Sequence, residues 1–146
     1  MPSRIGDALR WYAKHRPQQT AIIHGQGTTS YAELWSRACR LVDGLKQIGI
    51  KPNDRIALLM QNSAAYVELY QAAAMLGVAV VPVNFRFVAS EIEYVVNHSG
   101  AAALIYDEAF APVVAEVRGK LASVGRNFIV VGKDGANKTY EALMAS

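Results

Sequence analysis

Residues 75–107, MLGVAVVPVNFRFVASEIEYVVNHSGAAALIYD, constrain the fold of this chain more than any other stretch. A helix ending at Gly77 gives way to an apolar strand that runs to Val83. A polar corner follows at Asn84 and Arg86. A capped helix then starts near Ser90, stops at Gly100 and feeds a second apolar strand. Glycine past the helix end and a hydroxyl at the helix start are the expected punctuation of a strand–helix–strand unit.

The same punctuation recurs along the chain. Strands are expected at 55–60, 78–83, 102–106 and 127–131, and helices at 63–76, 90–99 and 109–124. Gly77, Gly100 and Gly125 each stand just before a strand. The strands are unbroken apolar runs, the pattern of a parallel sheet covered on both faces. The spacing predicts a first helix over 3–16, with Ile5, Leu9 and Tyr12 on one face. Two short runs, Thr20–His24 and 28–30, flank Gly25-Gln26-Gly27 and predict a β-hairpin, placed on an edge of the sheet. Ser30-Tyr31-Ala32-Glu33 is a capping box that opens a long helix. Its buried stripe is Leu34, Ala38, Leu41, Val42 and Leu45, and Gly49 sits where it should stop. The expected architecture is an open, three-layer α/β sheet, mostly parallel, with an N-terminal hairpin. A last short helix begins at Thr139, with Tyr140, Leu143 and Met144 apolar.

The 146 residues fit one domain of ordinary size, able to bury a core without staples. With 52% hydrophobic and 18% charged residues, the chain is no disordered polyelectrolyte. A net charge of +3, scattered from Arg4 to Lys138, calls for no nucleic-acid partner. One cysteine, Cys39, rules out an internal disulfide framework and fits a cytoplasmic setting. The longest apolar stretch, 72–83, is interrupted by Gly77 and Pro82 and is too short to span a bilayer.

Most chemistries fail at the level of residues. Gly119-Lys120-Leu121 and Gly132-Lys133-Asp134 lack the upstream glycine and the hydroxyl of a phosphate loop. His15, His24 and His98 stand far apart, without carboxylates at metal-ligand spacing, so no metal ligand is named. His98 falls in the last turn of a helix, where it favours the dipole. Cys39 reads as an inert thiol. Glu91 and Glu93 complement a helix N-terminus. Asp107, Lys133 and Asp134 follow strand ends, where ligands bind in open parallel sheets. The helix over 63–76 is apolar almost all round, interrupted mainly by Glu68 and Gln71. Its Tyr66 and Tyr70 either pack in the core or line a pocket. Arg86 is the charged residue to single out. It lies just past a strand, where a guanidinium clamps a phosphate bidentately or, alternatively, pairs with Glu91 or caps a loop carbonyl.

Set in order, these segments resemble the amino-terminal part of the adenylate-forming (AMP-binding) superfamily, specifically its acyl- and aryl-CoA synthetases. The residues that carry the resemblance are Thr29-Ser30-Tyr31-Ala32-Glu33-Leu34, then Gly49 through Asn53-Asp54-Arg55-Ile56-Ala57, then Gly77 through Pro82-Val83-Asn84. Asn84-Phe85-Arg86, with Glu91 and Tyr94, matches the CoA-ligase branch rather than the peptide-synthetase branch. Phe87 departs from the leucine usual after that arginine. The resemblance implies a parent enzyme of fatty-acid metabolism. It joins a carboxylic acid to CoA through an acyl-adenylate, with ATP and Mg²⁺. This chain would be the leading subdomain of the large domain, over residues 1–146. The family's Ser/Thr/Gly-rich phosphate loop, its Tyr-Gly-x-Thr-Glu segment, its ribose-binding Asp and its mobile Lys do not occur here. No catalytic residue is therefore carried over, the chain alone is expected to be inactive, and Ser146 reads as a cut. Arg86 is the candidate CoA-phosphate contact. A stand-alone α/β binding or oligomerisation module and a carrier-loading adenylation enzyme are the alternatives. A subdomain of this kind is expected to self-associate through its exposed interface.

Overall fold

Ser30 and Glu33 cap each other's backbone: the Glu33 N–H donates to Ser30 Oγ at 3.2 Å, and the Ser30 N–H donates to Glu33 Oε2 at 2.7 Å. The Ser30 backbone bond, then its hydroxyl, holds the Glu33 carboxyl below its ordinary range. That cap starts a helix over Tyr31–Gln47, the centre of one layer. The computed structural model describes residues 4–135 and 137–145. Within them the order is α1 (Ile5–His15), β1 (Thr20–His24), β2 (Gly27–Ser30), α2 (Tyr31–Gln47), β3 (Arg55–Leu59), α3 (Ala64–Leu76), β4 (Ala79–Pro82), α4 (Ala89–Ser99), β5 (Ala103–Asp107), α5 (Ala111–Val117), β6 (Phe128–Val131), β7 (Lys138–Thr139) and α6 (Tyr140–Met144). Ser3, the expected start of the first helix, lies outside the described residues.

Strands β4-β3-β5-β6-β7, in that order, form one sheet in which every pair is parallel. Alternate residues of the apolar runs serve opposite faces. Ile56, Leu58, Ala103, Ile105 and Ile129 pack with α2, α3 and α6. Ala57, Leu59, Leu104, Tyr106 and Val130 pack with α4 and α5. Both faces are covered, as the absence of polar alternation implied. Gly77 ends α3 at φ 79, a left-handed conformation that costs glycine no Cβ clash, and its N–H donates to Ala73 O at 2.9 Å.

Two expectations are corrected and one strand is added. The hairpin joins neither sheet edge and forms its own two-stranded sheet. With α1 it packs outside α2, where Leu9, Leu34 and Ala38 make a small separate core. The helix expected over 109–124 is broken into a 3-10 turn at Glu108–Phe110, α5, and a 3-10 turn at Arg118–Lys120. Pro112, lacking an N–H, starts the α-helical piece afresh, and Gly119 weakens its end. The sheet also gains β7, two residues with no periodic signal, paired to Ile129 and Val130.

Candidate functional site

The strand order places the reversal of winding between β3 and β5, so their carboxyl ends flank the crevice where doubly wound sheets take ligands. Beyond β3, Ser63 Oγ accepts the Tyr66 N–H at 3.2 Å and turns the chain into α3. Beyond β4, Asn84 Oδ1 accepts the Arg86 N–H at 3.0 Å, and Asn84 O accepts the Phe87 N–H at 3.0 Å. These two turns flank an open cleft of about 550 Å³ on the β4 side of that crevice. Its aromatic walls are Tyr66 and Phe85, its base is Met60 and Val83, and its polar groups are the amides of Gln61, Asn62 and Asn84. Neutral amides beside aromatic faces suit a planar polar ligand. Burial, then the neighbouring Tyr70, pushes the Tyr66 hydroxyl up to about 12, so it is a neutral donor at physiological pH. Tyr66 and Tyr70 stack with ring centroids 5.2 Å apart, Tyr66 on the cleft and Tyr70 40% exposed.

Arg86 lies at the rim, exposed. Its guanidinium sits 5.7 Å from the Phe85 ring centroid and takes part in none of the ion pairs among the described residues. The pairing with Glu91 does not form, because Glu91 Oε2 accepts the Val88 N–H at 2.9 Å instead. Glu93 pairs with Lys120 at 3.9 Å, and His98 stacks on Tyr94 at 5.4 Å. Cys39 is half-buried, and burial followed by the nearby Asp43 charge raises its thiol pKa, which keeps it protonated.

The strand-end carboxylates are committed to the scaffold. Asp107 Oδ2 accepts the Gln61 N–H at 2.8 Å, across the crevice. Burial pushes its carboxyl above the ordinary range, against the opposing pull of that N–H. Glu108 Oε2 accepts the Lys133 N–H at 2.7 Å. Asp134 accepts from Tyr106 at 2.5 Å and from Asn137 at 2.9 Å, pinning the loop between β6 and β7. Among the described strand-end residues, Arg86 and Lys133 take part in no ion pair, and Arg86 stands next to Phe85 of the cleft wall.

A second feature stood in the sequence as a mere polar interruption. Glu68 is 3% exposed and accepts from Arg37 Nε at 2.7 Å and from the Tyr140 hydroxyl. Those partners lie 31 and 72 residues away, so no local pattern pairs them. This network walls a larger cavity, about 640 Å³, between the hairpin, α2 and α3. Size does not make it the better site: Arg37 and Glu68 neutralise each other there, whereas the Arg86 guanidinium next to the strand-end cleft takes part in no ion pair among the described residues.

Known proteins share both the sequence and the fold. Feruloyl-CoA synthase of Amycolatopsis sp is 40% identical over 103 residues, 70% of this chain and 21% of that protein. A long-chain-fatty-acid–CoA ligase of Mycobacterium tuberculosis is 34% identical over 132 residues, 89% of this chain and 26% of the ligase. The structure of a Mycobacterium tuberculosis fatty acyl CoA synthetase superposes with a TM-score of 0.83 at 33% identity, over 88% of this chain and 26% of that one. The chain thus spans 21–26% of the length of these relatives. Residues 9–144 match the AMP-binding enzyme family, and the chain belongs to it.

Proposed function

We propose that these residues are the leading subdomain of an ATP-dependent acid–CoA ligase. In this reading the parent enzyme joins a carboxylate to the α-phosphate of ATP, releasing pyrophosphate, and the CoA thiol then displaces AMP. The observation that carries the reading is the sequence shared with relatives named for joining feruloyl and long-chain fatty acyl groups to CoA. The subdomain contributes scaffold, a wall for the acyl group and, through Arg86, a contact to a CoA phosphate. An unpaired guanidinium at the strand-end rim fits that contact, because it needs no bond broken before it accepts an anion. The residues present do not fit a Mg²⁺ site. Among the described residues no three His, Cys, Asp or Glu side chains gather as metal ligands, and Asp107 and Glu108 are spent on backbone N–H groups.

The 146 residues alone are expected to make no acyl-adenylate; acid-dependent pyrophosphate exchange into ATP by the purified chain would overturn this. In the longer enzyme, Arg86→Ala is expected to raise the KM for CoA by about tenfold, the cost of one charge-assisted hydrogen bond, with the KM for ATP unmoved. An unchanged KM for CoA removes Arg86 from the site. Association of the isolated chain through surface meant for neighbouring subdomains is read from its sedimentation mass.

A further inference from the structure

The five residues of α6 are too few to hold a helix by their own hydrogen bonds. Yet Tyr140, Leu143 and Met144 are 2%, 0% and 3% exposed, so tertiary contacts alone keep this segment in place. Two of those contacts are specific. Each oxygen of the buried Glu68 carboxylate has its own donor: Arg37 Nε from α2 at one and the Tyr140 hydroxyl from α6 at the other. Arg37 also reaches Glu141 Oε1 at 2.8 Å, and its guanidinium carbon stands 5.9 Å from the Tyr140 ring centroid. One turn further along α6, the helix backbone lies directly on α2 at Gly44, where a Cβ would come within 2.1 Å of Leu143 O. Glycine is what allows that approach.

We propose that Arg37, Glu68, Tyr140 and Gly44 form a latch for a strap, residues 138–145, which opens as a unit ahead of the rest of the sheet. Glu68 is the positioning residue, because it is the buried member of the network and its two carboxylate oxygens tie α2 and α6 to α3. Strand β7 adds only two residue pairs at the sheet edge, so the latch and the burial of Tyr140, Leu143 and Met144 are what oppose opening. The latch itself does not depend on the ligase reading. On that reading it has a further consequence: it anchors the segment that leads into the residues carrying the chemistry.

Hydrogen exchange of the intact chain tests the latch, with the amides of 138–145 read against those of β3 and β5. In the wild-type chain the strap should exchange faster than β3 and β5, and in Glu68→Gln and Tyr140→Phe its exchange should rise about 10- to 100-fold, the loss of one hydrogen bond to a charged group. Tyr140→Phe keeps the ring and removes one hydroxyl, so it carries the test if Glu68→Gln does not fold. Unchanged strap exchange in Tyr140→Phe overturns the latch. Equal protection of strap and sheet in the wild-type chain also overturns it, since the strap would then have no independent opening. Neither result bears on acyl-CoA formation, so failure of the latch is distinct from failure of the proposed function.

Discussion

Two polar assemblies on this chain handle an arginine in opposite ways. In the Arg37–Glu68–Tyr140–Glu141 network the guanidinium has two carboxylate partners, and the central carboxylate is 3% exposed. Burial disfavours the Arg37 charge, but the bonds to Glu141 and Glu68 outweigh it and leave the pKa raised. At the strand-end cleft, Arg86 has no carboxylate, and the nearby acids are already bonded to backbone N–H groups. A buried charge with every bond made holds elements together, whereas an exposed charge with none made is free to meet a ligand.

The contrast breaks most visibly at Glu68. Glu68→Ala leaves the Tyr140 hydroxyl buried without its partner and weakens the hold on Arg37, and it should cost about 3 kcal/mol in urea unfolding. A loss no larger than that of a surface substitution would make the network ornamental. Next comes Gly44→Ala, which keeps every polar group but drives a methyl into the Leu143 backbone; the overpacking should cost about 2 kcal/mol, read from the same midpoint.

Tyr140→Phe should cost about 1.5 kcal/mol at neutral pH. Its pH dependence has a definite sign. Burial, then the Glu68 charge, raises the Tyr140 pKa, so the folded state favours the neutral phenol. That contribution is fully present below the unfolded value of about 10 and is lost as pH rises beyond it. Wild-type stability should therefore fall above about pH 10, and Tyr140→Phe should flatten the fall; parallel curves for the two proteins would contradict the assignment. Arg86→Ala should change stability least, within about 0.5 kcal/mol, because no described partner is left unsatisfied. A larger loss would move Arg86 to the structural side of the comparison.

Local punctuation made much of the fold legible. The Ser30–Glu33 cap, the glycines before strands and the unbroken apolar runs each report short-range physics, and β3 to β6 and α2 to α4 lie within a residue or two of where they were expected. The segment at 109–124 was less legible, because its apolar residues continue across Pro112 and Gly119 where the α-helix starts late and ends early. At the site, Arg86 and Tyr66 were visible as residues of interest. The cleft between them was not, since it depends on how the turns after β3 and β4 face each other. Glu68 was visible as an oddity, but its role was hidden by sequence separations of 31 and 72 residues.

By itself the sequence determined most of the secondary structure, the layering and the family, because caps, breakers and hydrophobic period act over a few residues. Only the tertiary structure decided that the hairpin stands apart from the sheet, that β7 extends it, that Asp107 bridges to Gln61 and that Glu68 ties α2, α3 and α6 together. Those outcomes depend on which distant groups remain unsatisfied once the core has closed, and that is settled by the packed chain as a whole.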